Sequence, residues 1–138
     1  MPLKQEGVPM YSVDLRTRDG RGHAIVELHG ELDVADAAAV VAVFEVIVAL
    51  QPEIIVDLAG LEFIDISGVA ALARGRKLAR QAGGDLFLAS PRRGVLRVLT
   101  VTRLIDILPV HASVDAAAGH ARRTAAARAG RPALAVAT

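Results

Sequence analysis

The feature that most constrains this chain is a hydrophobic period that switches back and forth from Ala24 onward. In His23 to Leu32, Ala24, Val26 and Leu28 alternate with Ile25, Glu27 and His29, the two-residue period of a strand. After Asp33 the period becomes 3.6, with Ala37, Val40, Val41, Phe44, Ile47 and Val48 on one stripe and Pro52 as a stop, so a helix capped by Asp33 is expected. Glu53 to Leu58 is a short apolar run of the kind that is covered on both faces of a parallel sheet. Ser67 to Ala82 returns to helical spacing, with Val69, Leu72, Ala73 and Ala79 inward and Gly83-Gly84 as its end. Asp85 to Ala89 reads as the next strand, and Ser90-Pro91 as a cap and first turn for a helix reaching about Thr102. A further strand is expected near Asp106 to Val110, followed by an Ala-rich helix that Ser113 caps and that ends around Arg128. Strands that alternate with helices through short links form a mostly parallel sheet wound in one hand.

The flanks complete that architecture. Met10 to Thr17 alternates, with Val13 and Leu15 opposite Ser12, Asp14 and Arg16, and the turn-forming Asp19-Gly20-Arg21-Gly22 lets it pair with the following strand as an antiparallel edge. The reading is an α/β domain over residues 10–119 with four to five strands and about four helices. Residues 1–9 are a loose lead-in, and 120–138 hold the end of the last helix and a flexible tail. Aromatics are only 3% of a chain that is 53% hydrophobic, so the core is made of Ala, Val, Leu and Ile. A second stripe on the first helix, Val43, Val46 and Leu50, is expected to pack under a neighbour rather than stay exposed.

Composition excludes several function classes. With 16 basic and 15 acidic side chains, the net charge of +1 gives no long-range field to gather nucleic acid or an anionic membrane. There is no cysteine, which removes disulfides, thiolate catalysis and thiolate metal sites, and the four histidines lack ligand spacing. No Walker loop or dinucleotide fingerprint is present, so no cofactor is expected. The longest apolar run, Ala37 to Leu50, contains Glu45 and falls short of the ~20 residues that cross a bilayer. With no basic-then-apolar leader, a cytoplasmic location is the expectation. Arg74, Arg76, Lys77 and Arg80, late in the second helix, oppose the negative end of its dipole, which makes a solvated face the plainer reading and a partner-binding patch the sharper one.

In an open parallel sheet, sites cluster where strand carboxyl ends meet helix amino ends. Two segments fit: Gly30-Glu31-Leu32-Asp33 and Phe63-Ile64-Asp65-Ile66-Ser67-Gly68. If their strands are neighbours, Asp33, Asp65 and Ser67 share one rim. Ser67 is the informative residue, because a hydroxyl at a helix amino end sits where free amides and partial positive charge favour an added phosphate. Gly68 would leave room beside it for another protein. The plainer reading makes Asp33, and either Asp65 or Ser67, simple caps.

Together these segments resemble the STAS family, named for sulfate transporters and anti-sigma factor antagonists. The likeness spans roughly Met10 to Gly119 and is carried by GELD (Gly30 to Asp33), IIVDLAGLEFIDISG (Ile54 to Gly68), QAGGDLFLASP (Gln81 to Pro91) and LIDILPVHASVDAA (Leu104 to Ala117). It implies a stand-alone antagonist in which the hydroxyl residue before the motif glycine, here Ser67, is phosphorylated by an anti-sigma factor that is itself a serine kinase. An Mg- or Mn-dependent phosphatase would restore the hydroxyl. Asp33, Asp65, Ile66, Ser67 and Gly68 would form the partner contact. Ile66 departs from the Ser or Thr often found there, so a second acceptor is missing, and Arg103 stands where relatives often carry glycine after the third helix.

The implied mechanism is partner switching by a monomer or weak homodimer that is not an enzyme. The unphosphorylated domain binds the anti-sigma kinase and displaces a sigma factor, and the phosphorylated one lets go. A second reading keeps the fold as an unmodified docking subunit of a lipid-transport or stress-signalling complex. A third, a hydrolase with Ser67 as nucleophile and His29 or His111 as base, fails because Ile64-Asp65-Ile66-Ser67-Gly68 lacks the first glycine of a nucleophile elbow and its carboxylates would repel an oxyanion.

Overall fold

A computed structural model describes residues 13–19 and 22–130, with side chains from residue 22 onward. The elements are β1 (Val13–Asp19), β2 (Ala24–Leu32), α1 (Val34–Leu50), β3 (Glu53–Ile64), α2 (Ile66–Gln81), β4 (Asp85–Ala89), α3 (Arg93–Val101), a 3-10 turn (Leu104–Asp106), β5 (Val110–His111) and α4 (Val114–Ala129). The strands lie in the order β1-β2-β3-β4-β5. β1 runs antiparallel to β2, pairing Val13 with Gly30 through Asp19 with Ala24, and the other neighbours are parallel. The expected α/β sheet with an antiparallel edge strand is therefore present. Met10 to Ser12, the Gly20-Arg21 turn, the lead-in, the last eight residues and the facing of Val13 and Leu15 lie outside the described residues.

Strand order explains where the helices go. Sequential parallel strands joined by right-handed crossovers place every connecting helix on the same face. Accordingly α1, α2 and α3 cover one face, burying Val40 and Phe44, Val69 and Leu72, and Val95 and Leu99 against Val26, Leu28, Ile54, Val56, Leu86 and Leu88. α4 follows β5 and joins it to no other strand among the described residues, so that rule does not bear on it. It packs on the opposite face, setting Ala117, Ala118 and Ala121 against Ile25, Ile55, Phe87 and Ala89. The two sets interleave along β2, β3 and β4, as the two-residue period requires.

Close approach of α1 and α2 depends on one glycine. A Cβ at Gly75 would lie 2.6 Å from the Phe44 ring, so the absent side chain is the slot that lets α1 and α2 meet over a fully buried Phe44.

Four expectations are corrected. Val46 and Leu50 stay 63% and 82% exposed and Val43 only half-buried, because α1 has α2 on one flank and the sheet beneath, and among the described residues no element covers its outer side. β3 runs on past Leu58 to Ile64, since pairing with β2 continues to Leu32–Ile64 through two register shifts. Ser90 does not cap α3. It adopts a left-handed φ of 58°, its hydroxyl donates to the Ala112 carbonyl, and the helix begins at Arg93. Asp106 to Val110 is mostly not a strand. The chain winds through the 3-10 turn and leaves only Val110–His111 paired with β4. Arg103, at the family's glycine position, takes the glycine conformation (φ 66°) and pairs with Asp106 at 3.0 Å.

Candidate functional site

The rim where β2 and β3 end is assembled from the backbone outward. Leu32 and Ile64 are parallel partners, so the residues that follow them, Asp33 and Asp65, leave the sheet side by side and start α1 and α2. Each aspartate is extended and caps its own helix: Asp33 Oδ1 accepts from the Ala35 amide at 3.0 Å, and Asp65 Oδ1 from the Gly68 amide at 2.9 Å. Such caps contribute about 1 kcal/mol each. Asp65 does more. Its Oδ2 accepts from the Val34 amide at 3.2 Å, and its own amide donates to the Leu32 carbonyl at 3.2 Å. One carboxylate thus ties together the amino ends of two helices, where both macrodipoles favour negative charge.

This arrangement decides between the alternatives for capping. Because Asp65 is the cap, Ser67 falls at the second position inside α2, and its hydroxyl is not consumed by the helix end. Ser67 is half-buried, and among the described residues its side chain has no hydrogen-bond partner. It therefore stands at the positive end of a 16-residue helix with its oxygen uncommitted. The rim does bring Asp33, Asp65 and Ser67 together.

Gly68 serves a different purpose from the one expected. It is buried, and a Cβ there would lie 2.6 Å from Ile64 Cγ1 and 2.8 Å from the Leu32 carbonyl oxygen. The space it frees is inside the fold, where α2 must approach the end of β2. What faces outward is apolar: Ile66 is 67% exposed and Val34 73%, with Phe63 half-exposed at the end of β3. The sequence reading missed Val34, and although Phe63 opened its second candidate segment, it did not count Phe63 among the contact residues. Val34 was legible as the first helical residue off the buried stripe, whereas Phe63 could be placed only once β3 was known to extend past Leu58.

Residues 12–117 match the STAS domain family. The chain belongs to that family. A similar curated relative is the anti-sigma-F factor antagonist RsfA of Mycobacterium tuberculosis, 32% identical over an alignment of 97 residues that covers 67% of this chain and 75% of that protein. Among solved structures, an anti-sigma factor antagonist from Mycobacterium paratuberculosis superposes with a TM-score of 0.72 at 26% identity, covering 80% of this chain and 95% of its own. The Bacillus antagonist SpoIIAA has been solved unphosphorylated and phosphorylated. The unphosphorylated form matches with a TM-score of 0.67 at 21% identity, over 79% of this chain and 96% of that one, a likeness of fold alone. Among the described residues no helix is long and apolar enough to cross a membrane, and no cluster of three or more His, Asp or Glu could hold a metal ion.

Proposed function

We infer that this STAS domain is an anti-sigma factor antagonist, a binding protein rather than an enzyme. It engages an anti-sigma factor with serine kinase activity through the rim around Ser67, and phosphorylation of Ser67 turns it off. The observation that carries the reading is the Ser67 hydroxyl, uncommitted at the amino end of α2 because Asp65 has taken the capping role. Exposed Val34 and Ile66 beside it supply apolar area for a partner, and relatives named as antagonists support the partner class. Such a system operates in the cytoplasm, with an Mg- or Mn-dependent phosphatase resetting the serine.

The switch follows from charge. A phosphate adds about −1.5 to −2 charges to a rim that already holds the carboxylates of Asp33 and Asp65. Those carboxylates are partly offset by the amides they cap, so the domain itself tolerates the phosphate. A partner surface chosen to meet Val34, Ile66 and a neutral hydroxyl does not tolerate it, because docking would desolvate the new charge.

The test incubates the full chain with the candidate anti-sigma kinase and ATP, locates phosphate by mass spectrometry, and measures affinity for the Ser67 variants. Phosphate is expected at Ser67 alone. Ser67→Ala should bind without being modified, and Ser67→Asp should bind at least about tenfold more weakly. Equal affinity for all three proteins would replace the switch with a fixed docking role.

A further inference from the structure

A second surface lies at the other end of α2. Its lining residues on α2 run from Ala73 to Gln81, and the nearest, Ala73, is six positions beyond Ser67, about 9 Å along the helix. Here α2 and the segment leading into β5 enclose a shallow cleft of about 420 Å³ lined by Ala73, Arg76, Lys77, Arg80, Gln81 and Ile107. Its lining is almost wholly hydrocarbon, made of the Ala73 methyl, the Ile107 side chain and the stems of the long cations. Ile107 is 58% exposed.

The four late cations of α2 have different fates. Arg76 is a structural strut: its Nε donates to Asp85 Oδ1 at 3.1 Å and its Nη1 to the Ile107 carbonyl, so the cleft wall is fixed and this charge is neutralised. Arg74, Lys77 and Arg80 are exposed and have no carboxylate partner among the described residues. A helix end needs only some positive charge against its dipole, worth a few tenths of a kcal/mol. It does not require that two of them, Lys77 and Arg80, line an apolar cleft beside an exposed isoleucine. The plainer reading of a solvated face explains the charge and leaves the apolar lining unexplained.

We propose that this cleft is a second docking surface, for an acidic protein segment that sets an apolar side chain against Ala73 and Ile107 while carboxylates meet Lys77 and Arg80. Charge complementarity selects the partner. The cleft presents cations at its edge and hydrocarbon within, which matches leucine flanked by glutamates and gives a phosphodiester chain nothing to stack on, since no aromatic ring lines it. The proposal is independent of the Ser67 switch.

The test titrates the uniformly ¹⁵N-labelled full chain with the peptide acetyl-Glu-Glu-Leu-Leu-Glu-Glu-amide at low salt and follows amide shifts. Hexaglutamate, a hexathymidylate and phosphatidylglycerol vesicles serve as separate probes. Expected are shifts centred on Ala73, Lys77, Gln81 and Ile107, weaker binding of hexaglutamate, and at least a severalfold loss of affinity on raising salt to 0.15 M, as exposed charge pairs are screened. The double variant Lys77→Glu/Arg80→Glu should lose about tenfold and Ile107→Ser severalfold. Arg97→Glu on α3 should bind as the parent does. The affected side chains are exposed, so folding should be preserved, as unchanged thermal unfolding would verify. Absence of shifts, shifts spread over the arginines of α3 and α4, binding unchanged in the double variant, or preference for the oligonucleotide or the vesicles would each overturn the proposal.

Discussion

The two faces of the sheet are built to different standards. On one, three helices bury Phe44 and a ring of Leu, Ile and Val side chains, with Gly75 cut away so that two helices can close over the ring. On the other, a single helix buries three alanines, with Val114 packed beside them, and makes polar contacts at its middle and near its carboxyl end. Arg128 near the end of α4 pairs with the buried Glu53 at the start of β3. His120 on the same helix meets His111 of β5, Nδ1 to Nε2, at 2.8 Å, with the Phe87 ring against both. Alanine removes little apolar surface from water, so the first face is secured by burial and the second by a few specific pairs. A crossover helix must be packed for the sheet to form at all, whereas a trailing helix can be held less firmly. The family match, which stops at residue 117, takes in only the first turn of α4.

The contrast can be broken in three places. The largest effect is expected at Phe44, where alanine would leave a cavity beneath α1 and α2. A loss of about 3–5 kcal/mol in urea unfolding, spread over the whole domain, is the expected result, and a loss below 1 kcal/mol would mean that the faces are equivalent. Next is Arg128→Ala, which strands a buried carboxylate at Glu53. A cost of about 1–3 kcal/mol is expected. It should appear chiefly as faster hydrogen exchange in α4, with α2 amides little changed, because a weakly packed helix opens on its own.

The smallest effect is a pH dependence confined to the α4 face. His111 titrates below its ordinary value of 6.5, chiefly because burial disfavours the imidazolium, and secondarily because His120 and Arg123 repel it. A base whose folded pKa is lowered binds fewer protons folded than unfolded. Its stabilising contribution is therefore complete above 6.5 and is lost as pH falls through the lowered folded value. Exchange of α4 amides should accelerate between pH 7.5 and 5 relative to α2, and His111→Gln should flatten that difference. An identical pH response in both helices would show that the histidine pair does not hold α4.

The same division separates what could be read from residues alone. Capping by Asp33 and Ser113, the α1 stripe through Val40 and Phe44, and the glycine end of α2 were legible because each is set by contacts within one turn of the chain. The candidate rim was legible as two strand-to-helix junctions, but not the choice of Asp65 over Ser67 as the cap. Asp65 Oδ1 caps Gly68 within one turn, but its Oδ2 also holds the Val34 amide, 31 residues away, a contact no local pattern shows. The exposed place of Phe63 at a strand end was hidden for a similar reason, since Ala59 to Ile64 is strand only because β2 pairs with it.

Period and local capping chemistry determined by themselves that this chain alternates strand and helix and that its sheet is mainly parallel, because both depend on neighbours a few residues apart. Only the tertiary structure decided which serine oxygen is left uncommitted, which apolar side chains stay outside, and which face of the sheet is lightly covered. Those outcomes turn on distant segments competing for the same amides and the same surface, a competition that no local pattern records.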